Sequence, residues 1–400
     1  MARAFSHDGL VRLNEVMASH VERDSAAGLA WLVARRGEVH TGVEGALTAG
    51  SGIPMACDSI FRISSMTKPV TAAAAMILVE ECVVRLDDPV DDLLPELAGR
   101  RVLARADGPL DDTVPAERPI TLRDLLTFRL GLGMDFSAPF PQATLDAMAD
   151  LDLGVGPPRP AGVPAPDEWM RRLGSVPLAH QPGSRWLYHT SADVLGVLVA
   201  RAAGQPFEVF LREQLLAPLG MSDTGFSVPP VDRPRFGATH TTDPVSGERG
   251  VFDPPDGDWS APPAFPGGGA GLVSTLEDYH AFATMLLAHG THRGQRILSR
   301  SSVQAMTANH LTPEQLVTSG PGAPTGARGW GFGMSVQLAR TGPAGSVGAY
   351  GWDGGLGTSW MNDPAEDLVG VLLTNEAWPS PDRPPVCQDF WTCAYAAVED

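Results

Sequence analysis

Apolar residues recur at helical spacing over residues 8–23. There Leu10, Val11, Leu13, Val16, Met17 and Val21 predict an amphipathic first helix. The apolar run from Gly28 to Ala34 gives way at Arg36-Gly37 to a second segment ending near Gly42, the pattern of two strands joined as a hairpin. After Pro69 one-sidedness disappears. Val70 to Val79 is apolar on nearly every side, so this helix must be enclosed by other elements. Leu86-Asp87-Asp88-Pro89 ends it, and helices dominate the middle of the chain. Thr121-Leu122-Arg123-Asp124 and Ser274-Thr275-Leu276-Glu277 offer capping-box starts. Strands return at Trp330–Val336, Gly357–Met361 and Leu368–Leu373, and a last helix is expected over about 385–398.

Strands near both ends with helices between them predict an α+β fold. An antiparallel sheet flanked by helices is built from residues 1–85 and 265–400, with a helical domain inserted at 86–264. Two stretches, 154–168 and 228–271, are crowded with Pro, Gly and Asp and are expected to form rims or lids of a site. Gly267-Gly268-Gly269-Ala270-Gly271 lacks phosphate-loop spacing and is expected to bend beside the wall of that site.

Charge narrows the function. The net charge of −18 over 400 residues, with no basic block, argues against nucleic-acid and anionic-membrane partners. No apolar run approaches ~18 residues, and the N-terminal segment lacks a secretory pattern, so a soluble, cytoplasmic protein is expected. Cys57, Cys82, Cys387 and Cys393 have no metal-binding spacing, which fits a reducing interior. The closest histidines, His289 and His292, sit in a turn, and no Walker loop, dinucleotide fingerprint or HExxH occurs, so no metal or cofactor is expected. Nor is there a Gly-x-Ser-x-Gly elbow.

Of the 29 basic residues only Lys68 is lysine. Arginine stays protonated, whereas lysine can lose its proton when buried. Ser65 lies three residues earlier. Proline is tolerated only in a helix's first turn, and four residues before Pro69 is Ser65, so the helix should begin there. Ser65 and Lys68 would then share a face, with a hydroxyl beside an amine base at the positive helix end. Working near pH 7 requires Lys68 to drop by ~3 pH units, about 4 kcal/mol. The plainer alternative is a capping serine with a surface lysine, which suits so apolar a helix poorly.

Ser65-Met66-Thr67-Lys68 resembles the Ser-x-x-Lys motif of the serine β-lactamase and penicillin-binding-protein superfamily. Further segments in the same order resemble its class C-like branch, especially the family VIII carboxylesterases. They include Leu86–Val90, Thr121–Phe128, Pro182–Tyr188, Leu215–Phe226, Gly271–Leu287, Gly329–Met334 and Gly351–Pro364. The resemblance implies catalytic Ser65, Lys68 and Tyr188, the last in Tyr188-His189-Thr190 where the family has Tyr-x-Asn. It implies a Tyr188 phenolate stabilised by Lys68, and Thr190 in place of the family's asparagine. Trp352-Asp353-Gly354-Gly355 stands for the third motif, with the N–H groups of Ser65 and Gly355 as oxyanion hole and Trp352, Asp353, Gly354 and Thr190 as substrate contacts. Trp352 with a negative Asp353 suits a neutral, moderately apolar ester. The implied activity is hydrolysis of a small-molecule carboxylic ester through an acyl-Ser65 intermediate, or acyl transfer to an alcohol. A β-lactamase, D-amino-acid peptidase or amidase of the same mechanism is the second reading. A catalytically silent binding protein with this fold is the third.

Overall fold

The computed structural model describes residues 3–243, 245–317 and 326–399. The periodic N-terminal segment forms α1 (His7–Glu22), capped by the Ser6 side chain, which accepts the Gly9 amide. The hairpin comes next as β1 (Gly28–Arg35) and β2 (Glu38–Gly45). Its turn places Arg36 at φ 52° and Gly37 at φ 82°, the left-handed pair whose twist matches that of the strands. β1 is buried along its whole length, as its unbroken apolar run requires, whereas β2 is largely exposed at the sheet edge.

The enclosed helix is α2 (Thr67–Glu80), preceded by a tight 3₁₀ turn at Ser64–Met66. Beyond it lie α3 (Thr190–Ala203) and α4 (Leu276–Leu287). The late strands are β3 (Arg328–Trp330), β4 (Ser335–Gln337), β5 (Tyr350–Gly354), β6 (Thr358–Asp363) and β7 (Leu368–Thr374), and α5 (Pro385–Ala396) closes the chain. One seven-stranded antiparallel sheet runs β3-β4-β5-β6-β7-β1-β2. The two ends of the chain meet inside it, where Leu29 pairs with Thr374 and Arg35 with Leu368.

Alternation along the strands splits the sheet between two cores. Trp31, Val33 and Leu372 face α1 and α5, packing with Met17, Phe390 and Trp391. Leu32, Val371 and Leu373 face the other way, into a larger core with Tyr279, Phe282 and Leu286 of α4. That core continues through α2 into Leu195 and Leu198 of α3. The turn before α2 packs against β5 and β6, so the start of α2 abuts the sheet.

Two local expectations are corrected. Trp330–Val336 is not one strand. It folds back at Gly331–Met334, with Gly333 at φ 72°, and a Cβ on Gly333 would meet the Lys68 carbonyl oxygen at 2.8 Å. The cap of α4 is Thr275 rather than Ser274: Thr275 accepts the Asp278 amide, while Ser274 pairs with Phe61 in a two-residue ladder. At Thr121 the reciprocal capping box forms as the sequence predicts. In the second Pro/Gly-rich stretch Thr239–Thr242 and Arg249–Asp253 pair as a ladder, and Pro244 lies outside the described residues. Phe236 and Trp259 of this stretch pack on Ile60, Leu356 and Ala377. Among the described residues no single helix is long and apolar enough to cross a membrane.

Candidate active site

The turn before α2 presents Ser65 at the head of the helix, and Ser64 beside it is held at φ 46°. A non-glycine residue in this left-handed region is strained and persists only where its surroundings fix it. One helical turn on, Lys68 is fully buried, with its Nζ 2.9 Å from the Ser65 Oγ. The same nitrogen donates to the Gly269 carbonyl at 2.6 Å and lies 3.2 Å from His189 Nδ1. Burial lowers the Lys68 pKa from 10.5 to about 7, and the Asp193 carboxylate opposes this only in part. An arginine could not be neutralised in this way.

His189 is the site residue that motif reading passed over. It sits at φ 82° and ψ −65°, and the Thr190 amide donates to the Tyr188 carbonyl across it at 3.2 Å. This is the strained form of the three-residue γ-turn. It joins Tyr188, paired through its backbone with Met134, to the first turn of α3. His189 Nε2 lies 3.0 Å from the Asp193 Oδ2, four residues on along α3. The other carboxylate oxygen accepts the Gly269 amide at 2.8 Å. Burial alone would raise the Asp193 carboxyl, but His189 beside it holds its pKa below the ordinary value. The sequence signal was a histidine next to the motif tyrosine with an aspartate one helical turn later.

Tyr188 stands against Ser65 from the opposite side. Its hydroxyl accepts the Trp352 indole N–H at 2.8 Å and lies within bonding reach of the Ser65 hydroxyl. Phe136 and Trp186 each lie 5.6 Å from its ring, between centroids. This apolar surround pushes the phenol pKa well above its usual value, and Lys68 Nζ faces the ring, 4.6 Å from its centroid, rather than the oxygen. Burial thus favours the neutral phenol over the lysine-stabilised phenolate that the resemblance implies.

Ser65, Tyr188, Trp352, Asp353 and Gly355 line one cavity of about 850 Å³, together with Met134, Phe136, Pro157 and Pro158. Pro157 and Pro158 belong to the first Pro/Gly-rich stretch, and Ala270 of the glycine-rich bend also lines the wall. Three expected substrate contacts change. Thr190 is buried in the first turn of α3 and borders a separate small void near Met148 and Leu153. Gly354 packs against backbone instead, since a Cβ there would stand 2.3 Å from the Ile63 carbonyl oxygen. Asp353 does reach the cavity, but its carboxylate accepts from Arg383 at 2.9 and 3.1 Å and from the Ser359 hydroxyl at 2.5 Å. It presents no free negative charge to a ligand.

The sequence model of the beta-lactamase family matches residues 13–385. The chain belongs to the beta-lactamase family. Protein Rv1367c of Mycobacterium tuberculosis is 42% identical over 355 residues, covering 87% of this chain and 82% of that protein. Esterase EstB of Burkholderia gladioli is 32% identical over 409 residues, covering 94% and 93%. Among solved structures, EstCE1, described as a hydrolase with promiscuous acyltransferase activity, superposes with a TM-score of 0.79 at 24% identity, covering 97% of this chain and 98% of that one. Unliganded simvastatin synthase LovD from Aspergillus terreus gives 0.78 at 24% identity over 98% and 99%. At that identity the two structures show a shared fold. Within this beta-lactamase fold, the wall beside Ser65 is an indole hydrogen-bonded to a phenol.

Proposed function

We propose that this chain is a serine hydrolase of the family VIII carboxylesterase type, cleaving small carboxylic esters through an acyl-enzyme on Ser65. The observation that carries the reading is the Ser65 hydroxyl 2.9 Å from a buried lysine whose pKa is lowered to about 7. A neutral amine has two N–H donors and one lone pair. Gly269 O and His189 Nδ1 take the two donors, with Asp193 holding the histidine proton on Nε2, and the lone pair is left for the Ser65 proton. The hydroxyl oxygen attacks the ester carbonyl as that proton moves to Lys68.

The oxyanion forms at the N–H groups of Ser65 and Gly355. The Gly354 carbonyl accepts the Gly357 amide at 3.0 Å, and in a trans peptide this turns the Gly355 N–H the other way. One such donor is typically worth a factor of about 10²–10³ in rate. Lys68, having taken the Ser65 proton 2.9 Å away, returns it to the departing alkoxide, with the Tyr188 hydroxyl beside it as a hydrogen-bonding partner. Water or a second alcohol then attacks the acyl group, giving hydrolysis or acyl transfer.

Ester cleavage is favoured because EstB is named an esterase and because EstCE1 is described as a hydrolase with promiscuous acyltransferase activity. A cytoplasmic setting fits the four unpaired cysteines, two of them exposed. The test is turnover of p-nitrophenyl butyrate with nitrocefin as comparator. Ester cleavage abolished by Ser65→Ala is expected. Wild-type turnover by that variant, or faster nitrocefin than ester cleavage, would overturn the reading.

A further inference from the structure

The cavity onto which Ser65 opens is also lined by Arg328, Gln337, Asp353, Arg383 and Gln388. Arg383 is committed to Asp353 through two hydrogen bonds. Arg328 is not committed to anything: among the described residues its guanidinium has no hydrogen-bond or ion-pair partner. Residues 318–325, just before it in sequence, contain no acidic side chain. Asp382, exposed at the rim, enters no ion pair among the described residues. Of the two guanidinium groups in this lining, Arg383 is paired with Asp353 and Arg328 has no ion pair among the described residues.

Burial and the neighbouring Arg383 disfavour the charged form of Arg328, and Asp353 opposes them only in part. A half-buried cation without a partner is costly, and a guanidinium fork is matched in shape and charge by a carboxylate. Its location suits a ligand whose other end reaches Ser65. Arg328 begins β3, two residues or about 7 Å along the strand from Trp330. Trp330 packs edge-on against Trp352, 4.6 Å between ring centroids, beside the candidate nucleophile.

We infer that Arg328 anchors a carboxylate, so that the preferred substrates are esters bearing a carboxylate at the end remote from the bond cleaved. The inference rests on the ester-hydrolase reading of Ser65 and narrows its substrate class. It also reverses the neutral-substrate expectation, which rested on an apolar Trp352 and a negative Asp353.

The experiment compares kcat/KM for charged and neutral partners of matched length. The pairs are monomethyl adipate with methyl hexanoate, and omega-acetoxyhexanoate with hexyl acetate, followed by pH-stat. Wild type should prefer the acid in at least one pair, and which pair shows it assigns the carboxylate to the acyl or the alcohol half. Arg328→Gln should lower the acid-to-neutral ratio by about 10- to 100-fold, the range expected for losing a charge-assisted hydrogen-bonded partner. Arg328→Lys keeps the charge without the fork and should fall between. It preserves the test if the glutamine variant folds poorly. A wild-type ratio at or below one in both pairs, or a ratio unmoved by either substitution, overturns the inference. Turnover of neither member of any pair would instead sink the ester-hydrolase reading itself.

Discussion

Lys68→Met should abolish turnover and, at neutral pH and below, stabilise the protein. In the folded chain the amine titrates at about 7 against 10.5 for an ordinary lysine. That gap, at about 1.36 kcal/mol per pH unit, amounts to nearly 5 kcal/mol set against folding wherever both states are protonated. Below pH 7 the cost is present in full. Between pH 7 and 10.5 the unfolded chain holds a proton that the folded chain has released, so stability rises with pH.

Methionine fills much the same volume and carries no charge, but it leaves the Gly269 carbonyl without its donor at 2.6 Å. An unsatisfied buried acceptor costs about 1–3 kcal/mol at every pH. The variant should therefore be more stable by about 1–3 kcal/mol at pH 7, where the folded amine is half protonated, and its advantage should shrink by about 2 kcal/mol on going to pH 9. Urea unfolding followed by tryptophan fluorescence at several pH values in this range measures both quantities. The other titrating groups largely cancel in the difference between the two proteins. Parallel stability profiles for wild type and variant would mean that Lys68 keeps an ordinary pKa, and the amine could then not serve as the base.

His189→Ala removes an acceptor from the lysine nitrogen and should lower kcat/KM about 100-fold, the scale set by small misplacements of a reacting group. His189→Asn puts an amide oxygen near the Nδ1 position, tolerates the positive φ and should recover most of the loss, and in each case activity should rise with pH through about 7. If the asparagine variant is as slow as the alanine one, His189 does not act by orienting Lys68. Asp253→Ala should cost about 3–5 kcal/mol in thermal or urea unfolding, since it leaves Arg62 charged and buried three residues before the nucleophile. A loss below about 1 kcal/mol would show that the carbonyls of Gly237 and Pro254, bonded at 2.8 and 2.9 Å, are enough to hold that guanidinium.

What the sequence could reveal was set by the range of the forces involved. β1 and β7 were legible because strands buried on both faces leave unbroken apolar runs, and the head of α2 because proline has one tolerable place in a helix. The turn at Gly331–Met334 was not: an apolar residue between glycines alternates as a strand does, and only the approach to the Lys68 carbonyl distinguishes the two. Thr190 was placed by motif position, and Gly354 by motif position and its lack of a side chain, neither of which says what a residue packs against. Asp353 was read as a free charge because its partner Arg383 lies 30 residues away in sequence. His189 and Arg328 draw their interest from tertiary neighbours, one from a strained turn and one from the absence of a counterion.

The pairing of β1 with β7 also imposes an order of events on a chain being synthesised. β1 emerges early but must wait for residues 368–374 before its second edge is covered, and β5, with Trp352 beside Ser65, emerges late as well. A nascent or prematurely terminated polypeptide therefore carries the nucleophile without its wall. The Ser65 site is assembled only after residues 350–374 have been made.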